Sequence, residues 1–244
     1  MKPNKQEFFN QYRENVIIEV VQSLAKSQAG SWIAFKGGTA LKLIYGLPRY
    51  SEDVDYDFLG AISLGELIRT IKDLFIRRRW EITDDAVKFQ TVLVELRFTG
   101  PDRNFHIKIE ISTREKELKT AIFSLRGVPV LTLEPAFLMT EKLFTFLDRG
   151  AGRDIFDAWF ILNTSYPLDE VMIEKKFGHR TVFFQALLQA VQKADSKRIL
   201  RDTGKLLNPD LRNWIKTSFL CDFKRLIEMK IGGRPRPSKN RPRS

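Results

Sequence analysis

Two neighbouring stretches of this sequence hold residue types that can work on phosphates together. The first is Phe35-Lys36-Gly37-Gly38-Thr39-Ala40-Leu41 and the second is Asp53-Val54-Asp55-Tyr56. Residues two apart on a strand point to the same face, so Asp53 and Asp55 present paired carboxylates while Val54 turns to the core. Two such charges repel unless a cation sits between them. The chain has two histidines and one cysteine, too few for a zinc site of sulfur and imidazole. Metal ligands must then be carboxylates, which points to magnesium or manganese. A glycine pair after a strand permits a sharp turn and leaves amide N–H groups at a helix start, where phosphate binds. Together these parts make a triphosphate cradle beside a metal platform, able to activate a hydroxyl and stabilise a pyrophosphate leaving group. Each part alone is commonplace; their order along the chain carries the reading.

The elements that must position these residues follow from periodicity. Residues 7–26 place Phe8, Tyr12, Val16, Val20 and Leu24 four apart, a helical stripe. Residues 32–35 form a short apolar strand that meets the glycine pair, with Thr39 as the expected cap of the next helix. Gly46-Leu47-Pro48 ends that helix, and 54–59 reads as a strand carrying the aspartates. Residues 64–78 look helical, 92–96 and 105–111 alternate as half-buried strands do, and 127–133 adds another. From 134 onward the period is helical throughout, with helices expected over 135–148, 153–163, 168–177, 182–194 and 208–230. The predicted architecture is α+β: a catalytic core with a mixed sheet over 1–133, a helical region over 134–231, and a basic, disordered tail over 232–244.

The chain has 244 residues and a net charge of +11. The tail contributes five positive charges and no acid, leaving 11 − 5 = +6 on the rest. Such an excess suits a polyanionic partner, nucleic acid above all, although it also serves solubility. No run of apolar residues is long enough for a membrane span and no signal peptide is visible, so a cytoplasmic protein is expected.

The run GGTALKLIYGLPRYSEDVDYD resembles the first motif of the AbiEii/AbiGii toxin family, which includes the MenT toxins. A second block, Glu141-Lys142-Leu143-Phe144 through Arg149 to Arg153-Asp154-Ile155-Phe156-Asp157, resembles that family's later motif of a lysine followed by R-D-h-h-D. The resemblance implies a polymerase-β-like nucleotidyltransferase fold that uses an NTP and Mg²⁺ (or Mn²⁺). It matches Asp53 and Asp55 to the metal pair, and Lys142 and Asp157 to the later catalytic lysine and aspartate. Ser51 matches a position that kinase-type antitoxins phosphorylate in some members. It implies a toxin of a toxin–antitoxin or phage-defence system, with an antitoxin partner, AbiEi-like or kinase-type, and RNA, tRNA in particular, as acceptor. Gly37, Gly38, Thr39, Ser51 and Lys142 are the expected nucleotide contacts.

The residues leave alternatives open. Arg153 and Asp157 are four apart, the spacing of an intrahelical ion pair. Glu110, in Ile109-Glu110-Ile111, has the form of a third metal carboxylate, yet Lys108 shares its strand face. Arg49 can reach a phosphate or neutralise Glu52, Asp57 is peripheral, and His106 is a strand-surface residue. Arg77-Arg78-Arg79 is either a solvated helix end or part of an RNA track. The acceptor can also be a small hydroxylated molecule such as an antibiotic, or a protein hydroxyl. A non-catalytic nucleotide-sensing or RNA-binding protein is the remaining alternative.

Overall fold

A computed structural model describes residues 5–114 and 117–232, and the expected tail lies, from residue 233 on, outside the described residues. The chain opens on α1 (Lys5–Lys26), whose buried side runs through Phe9, Arg13, Ile17, Val20, Val21 and Leu24. Phe8 and Tyr12, placed on that side by the four-residue spacing, are 52% and 37% exposed. The reason is geometric: four residues turn an α-helix by more than a full circle, so a strict four-residue stripe drifts off the buried face.

After a 3-10 turn at Gln28–Ser31 come β1 (Ile33–Lys36), α2 (Gly37–Tyr45), β2 (Asp53–Phe58) and α3 (Leu64–Arg77). Ser63 caps α3 by accepting the Glu66 amide at 3.2 Å, and Leu67, Ile71 and Phe75 face inward. The remaining strands are β3 (Glu81–Lys88), β4 (Thr91–Thr99), β5 (Asn104–Ser112), β6 (Thr120–Leu125) and β7 (Val128–Leu133). They form one mixed sheet in the order β3-β4-β5-β2-β1-β7-β6. β2 lies at its centre, antiparallel to β1 and parallel to β5. Val54 and Tyr56 of β2 are buried on one face, where Tyr56 packs on Phe35 at 5.4 Å. The alternation of the strand turns Asp53, Asp55 and Asp57 to the other face.

Every described element after Leu133 is helical: α4 (Pro135–Arg149), α5 (Gly152–Asn163), α6 (Glu170–Phe177), α7 (Arg180–Gln192), α8 (Ser196–Thr203), α9 (Pro209–Thr217) and α10 (Phe219–Ile231). The single helix expected over 208–230 is therefore two. Asn208 caps α9, the helix breaks at Ser218, and Trp214 Nε1 donates to Asp222 across the break at 2.8 Å. One contiguous apolar core joins the sheet to these helices, from Val54 and Ile109 to Phe146, Phe156 and Phe219. The structure thus has an α+β fold in which the helical half shares one apolar core with the sheet that carries the aspartates.

Candidate active site

The turn from β1 into α2 explains why two glycines stand there. Gly37 has φ +78°, a left-handed conformation, and a Cβ on it would overlap the Asp55 carboxylate outright. A Cβ on Gly38 would lie 2.7 Å from Arg49 Nη2 and 3.4 Å from Ser51 Oγ. The pair is needed because a carboxylate and a guanidinium press against the backbone, and Ser51 sits beside the same turn. Helix α2 begins at Gly37 with Lys36 as its cap residue and no side-chain cap bond. Thr39 is not the cap: it lies inside α2, buried, and its hydroxyl donates to the Asp53 carbonyl, tying the turn to the acidic strand. Gly37→Ala is therefore expected to remove nearly all activity, because the φ and the collision with Asp55 both oppose it. Loss of more than about 1 kcal/mol in unfolding should accompany it. An alanine variant with wild-type rates would show that the contact with Asp55 is dispensable.

The carboxylates converge from two strands. The parallel register of β2 and β5 sets Asp55 beside Glu110 and Asp53 beside Lys108. Glu110 pairs with Lys108 at 3.1 Å, the surface ion pair that is one reading of it, while its register also sets it beside the aspartates. Burial pushes the Asp55 carboxyl up to about 6; the Lys142 and Lys36 charges pull it down, and Asp53 and Glu110 push it further up. Burial likewise raises Asp53, Arg153 pulls it back, and Glu110 raises it. Carboxylates held partly out of water without full neutralisation fit a cation. All-oxygen donors fit magnesium or manganese. Among the described residues no three such side chains are gathered tightly enough to hold an ion alone.

Behind the pair lies an ionic network that joins both motif blocks. Arg49 and Asp157 are 3% and 0% exposed, and the guanidinium donates through Nε and Nη2 to the two Asp157 oxygens at 2.7 Å each. Lys142 Nζ lies 2.9 Å from Asp154 Oδ1 and 3.0 Å from Asp157 Oδ2. Arg149 forks onto Asp154 at 2.7 and 2.9 Å. Burial works against ionising these two aspartates, but Arg149 and Lys142 hold Asp154 down at about 2, and Arg49 and Lys142 keep Asp157 below its ordinary range.

Two expectations change. Arg153 does not pair with Asp157; its Nη1 reaches Asp53 Oδ2 at 3.5 Å. Arg49 does not neutralise Glu52, whose charge is met by Arg13 and by Lys205 at 2.9 Å. Arg149 joins Lys142 in gripping Asp154. Asp154, although it stood in the quoted motif, had no role assigned to it. The signal was present: in GRDIFDAWFILN nearly every residue after Arg153 is apolar, so two acids there must be buried and need cations.

The other candidates lie apart. Asp57 is buried and pairs with Lys36 at 2.6 Å. His106 is half exposed and sits 3.4 Å from Glu95. Of the arginine run, Arg78 lies 3.7 Å from Glu19 and stacks over Trp80, which makes it part of the α3–β3 corner.

A family model described as the nucleotidyl transferase AbiEii toxin of type IV toxin–antitoxin systems matches residues 19–217, which run from α1 to the end of α9. Among solved structures, the chain is similar to JHP933 from Helicobacter pylori, with 21% identity, a TM-score of 0.59, and 92% of this chain and 94% of that one covered. Another H. pylori structure, solved as that of a candidate nucleotidyltransferase, shares 21% identity and a TM-score of 0.58 over 92% of this chain and 96% of its own. Likeness at that level speaks for the fold. No curated protein matches the chain significantly, and no helix among the described residues is long and apolar enough to cross a membrane.

Proposed function

We propose, from the premise that this chain belongs to the AbiEii nucleotidyl transferase toxin family of type IV toxin–antitoxin systems, that it transfers a nucleoside monophosphate from an NTP to a hydroxyl of RNA, with tRNA 3′ ends as the favoured acceptor. The observation that carries the reading is the seating of Asp55 against Gly37 at the uncapped start of α2, with Asp53 on the same strand face and Glu110 beside it. The first amides of α2 and the Ser51 hydroxyl hold the triphosphate beside the aspartates. Asp53 and Asp55 hold a divalent cation, and Glu110, engaged by Lys108, borders them. Mg²⁺ or Mn²⁺ bound there supplies charge for the leaving pyrophosphate and lowers the pKa of the attacking hydroxyl. Lys142 has three donors, of which Asp154 and Asp157 take two; the third faces the triphosphate. Asp157, with both oxygens engaged, positions Arg49 and Lys142 and does not itself touch the metal. The basic balance of the chain favours a polyanionic acceptor, and an antitoxin in the same cytoplasm restrains the activity.

The test is incubation of the full chain with each α-labelled NTP, Mg²⁺ and total RNA. Label is expected to pass to RNA of tRNA size with one or two NTPs preferred, and to disappear when Mg²⁺ is chelated. Label that passes only to small hydroxylated compounds or to protein would replace RNA as the acceptor. No transfer to any acceptor, with NTP binding intact, would leave a nucleotide-sensing protein.

A further inference from the structure

The charges on the two sides of the aspartate pair are arranged differently. On the sheet side, the cations nearest the pair have acids beside them: Lys108 lies with Glu110 at 3.1 Å and Arg97 with Glu81 at 2.5 Å. Those two charges are neutralised in place. On the helical side, α8 has the short sequence SKRILRDT, in which Ile199 and Thr203 turn to the core. Lys197, Arg198 and Arg201 are left exposed. Among the described residues Lys197 and Arg198 have no carboxylate at ion-pair distance, and Arg201 has only Asp202 beside it at 3.2 Å.

This basic helix is fixed to the site. The start of α5 presses on it so closely that a Cβ on Gly152 would lie 2.6 Å from the Arg198 carbonyl oxygen. The Gly152 amide donates to Asp202 at 2.8 Å. The next residue, Arg153, reaches Asp53 at 3.5 Å. Just beyond α8, Lys205 reaches Glu52 at 2.9 Å, and the Leu206 carbonyl accepts the Tyr50 amide at 2.9 Å, so the segment is tied to the chain that leads into the aspartates. The basic helix is thus tied to two further cations, Arg153 and Lys205, that reach Asp53 and Glu52 at the edge of the catalytic pair.

We infer that the exposed face of α8, continued by Arg153 and Lys205, is the track on which the acceptor RNA lays its backbone phosphates as its 3′ hydroxyl enters the site. The inference rests on the RNA-acceptor reading above and adds the surface that delivers the acceptor. On α8, Lys197 and Arg198 have no carboxylate at ion-pair distance among the described residues, and such exposed cations attract a polyanion by counterion release and steer it. A small neutral acceptor has no use for charges set this far from the reacting group. Lys108 and Arg97 on the sheet side are already matched by acids, so the unmatched cations of α8 direct the strand along the helical side.

The test uses the full chain and a short 5′-labelled single-stranded RNA with a free 3′ hydroxyl. The Lys197→Ala/Arg198→Ala/Arg201→Ala variant is compared with Lys88→Ala/Lys175→Ala/Arg225→Ala, which removes the same charge from exposed positions elsewhere. The first variant is expected to bind RNA at least tenfold more weakly. Its slope of log K against log salt should be shallower by about 2, three contacts at about 0.7 each for a single strand. Its NTP affinity should be unchanged and the scattered variant should resemble wild type. Equal losses in both variants, or none in the first, would overturn the track while leaving transfer to RNA standing. A wild-type chain that transfers label to no RNA would overturn the acceptor reading and the track with it.

Discussion

Asp55→Asn abolishes nucleotide transfer and leaves a fold at least as stable as the wild type when no divalent cation is present. The side chain keeps its shape, so its contact with Gly37 is preserved and the α2 turn is undisturbed. What it loses is the charge. Burial, with Asp53 and Glu110 adding repulsion, pushes that carboxyl up to about 6 against the pull of Lys142, so without a divalent cation the loss of the charge relieves desolvation and repulsion. For catalysis the same change removes a ligand from the proposed cation. Lewis-acid stabilisation is worth several kcal/mol of the barrier, and each ~1.4 kcal/mol is tenfold in rate, so a loss of about a thousandfold or more is expected. Two measurements check it. Initial rates of label transfer should fall to background, and Mn²⁺ or Mg²⁺ should raise the thermal midpoint of the wild type but not of the variant, since only a bound ligand stabilises. A variant that keeps its rate, or whose midpoint rises with metal as the wild type's does, removes Asp55 from the metal site.

The parts of this site that could be read in the sequence are those whose cause is local. Asp53 and Asp55 sit on one face because a strand alternates, and the pairing of Gly37 with a following helix needs only neighbours. The long apolar strands and helices were legible for the same reason. The edge strands were not. In β3 and β6 almost every side chain meets solvent, so Glu81 to Lys88 shows no alternation between buried and exposed residues and resembles a charged loop. Helix α8 buries only Ile199 and Thr203, too little for a periodic signal. The ionic network was hidden by distance along the chain. Arg49 precedes Asp157 by 108 residues, and nothing near either names the other. Spacing alone favoured Arg153 as the partner of Asp157. Burial decides otherwise, because Arg153 begins α5 at the surface and Asp157 lies one turn inside it.

Arg49→Ala is expected to be among the most destabilising single substitutions in this chain. Arg49 and Asp157 are both almost fully enclosed, and their fork of two 2.7 Å bonds is the main compensation for the buried carboxylate. Removing one partner of such a pair costs about 3–5 kcal/mol, because the other charge is left without its counterpart. Lys142 stays near Asp157 at 3.0 Å and softens the loss, but it is shared with Asp154. Arg49→Lys should fall between, since an ammonium cannot donate the same parallel pair of bonds. The double substitution Arg49→Met/Asp157→Leu separates stability from function. Replacing both charges by apolar groups of similar size is often neutral, so urea unfolding should recover most of what Arg49→Ala loses. Transfer should not recover. Arg49 also donates to the Tyr50 carbonyl at 2.9 Å and packs on Gly38 beside Ser51, and Lys142 would lose one of its two anchors. A double variant with both stability and rate restored would make the pair a packing feature alone. An Arg49→Ala variant that unfolds within about 1 kcal/mol of wild type would mean that Lys142 suffices to neutralise Asp157.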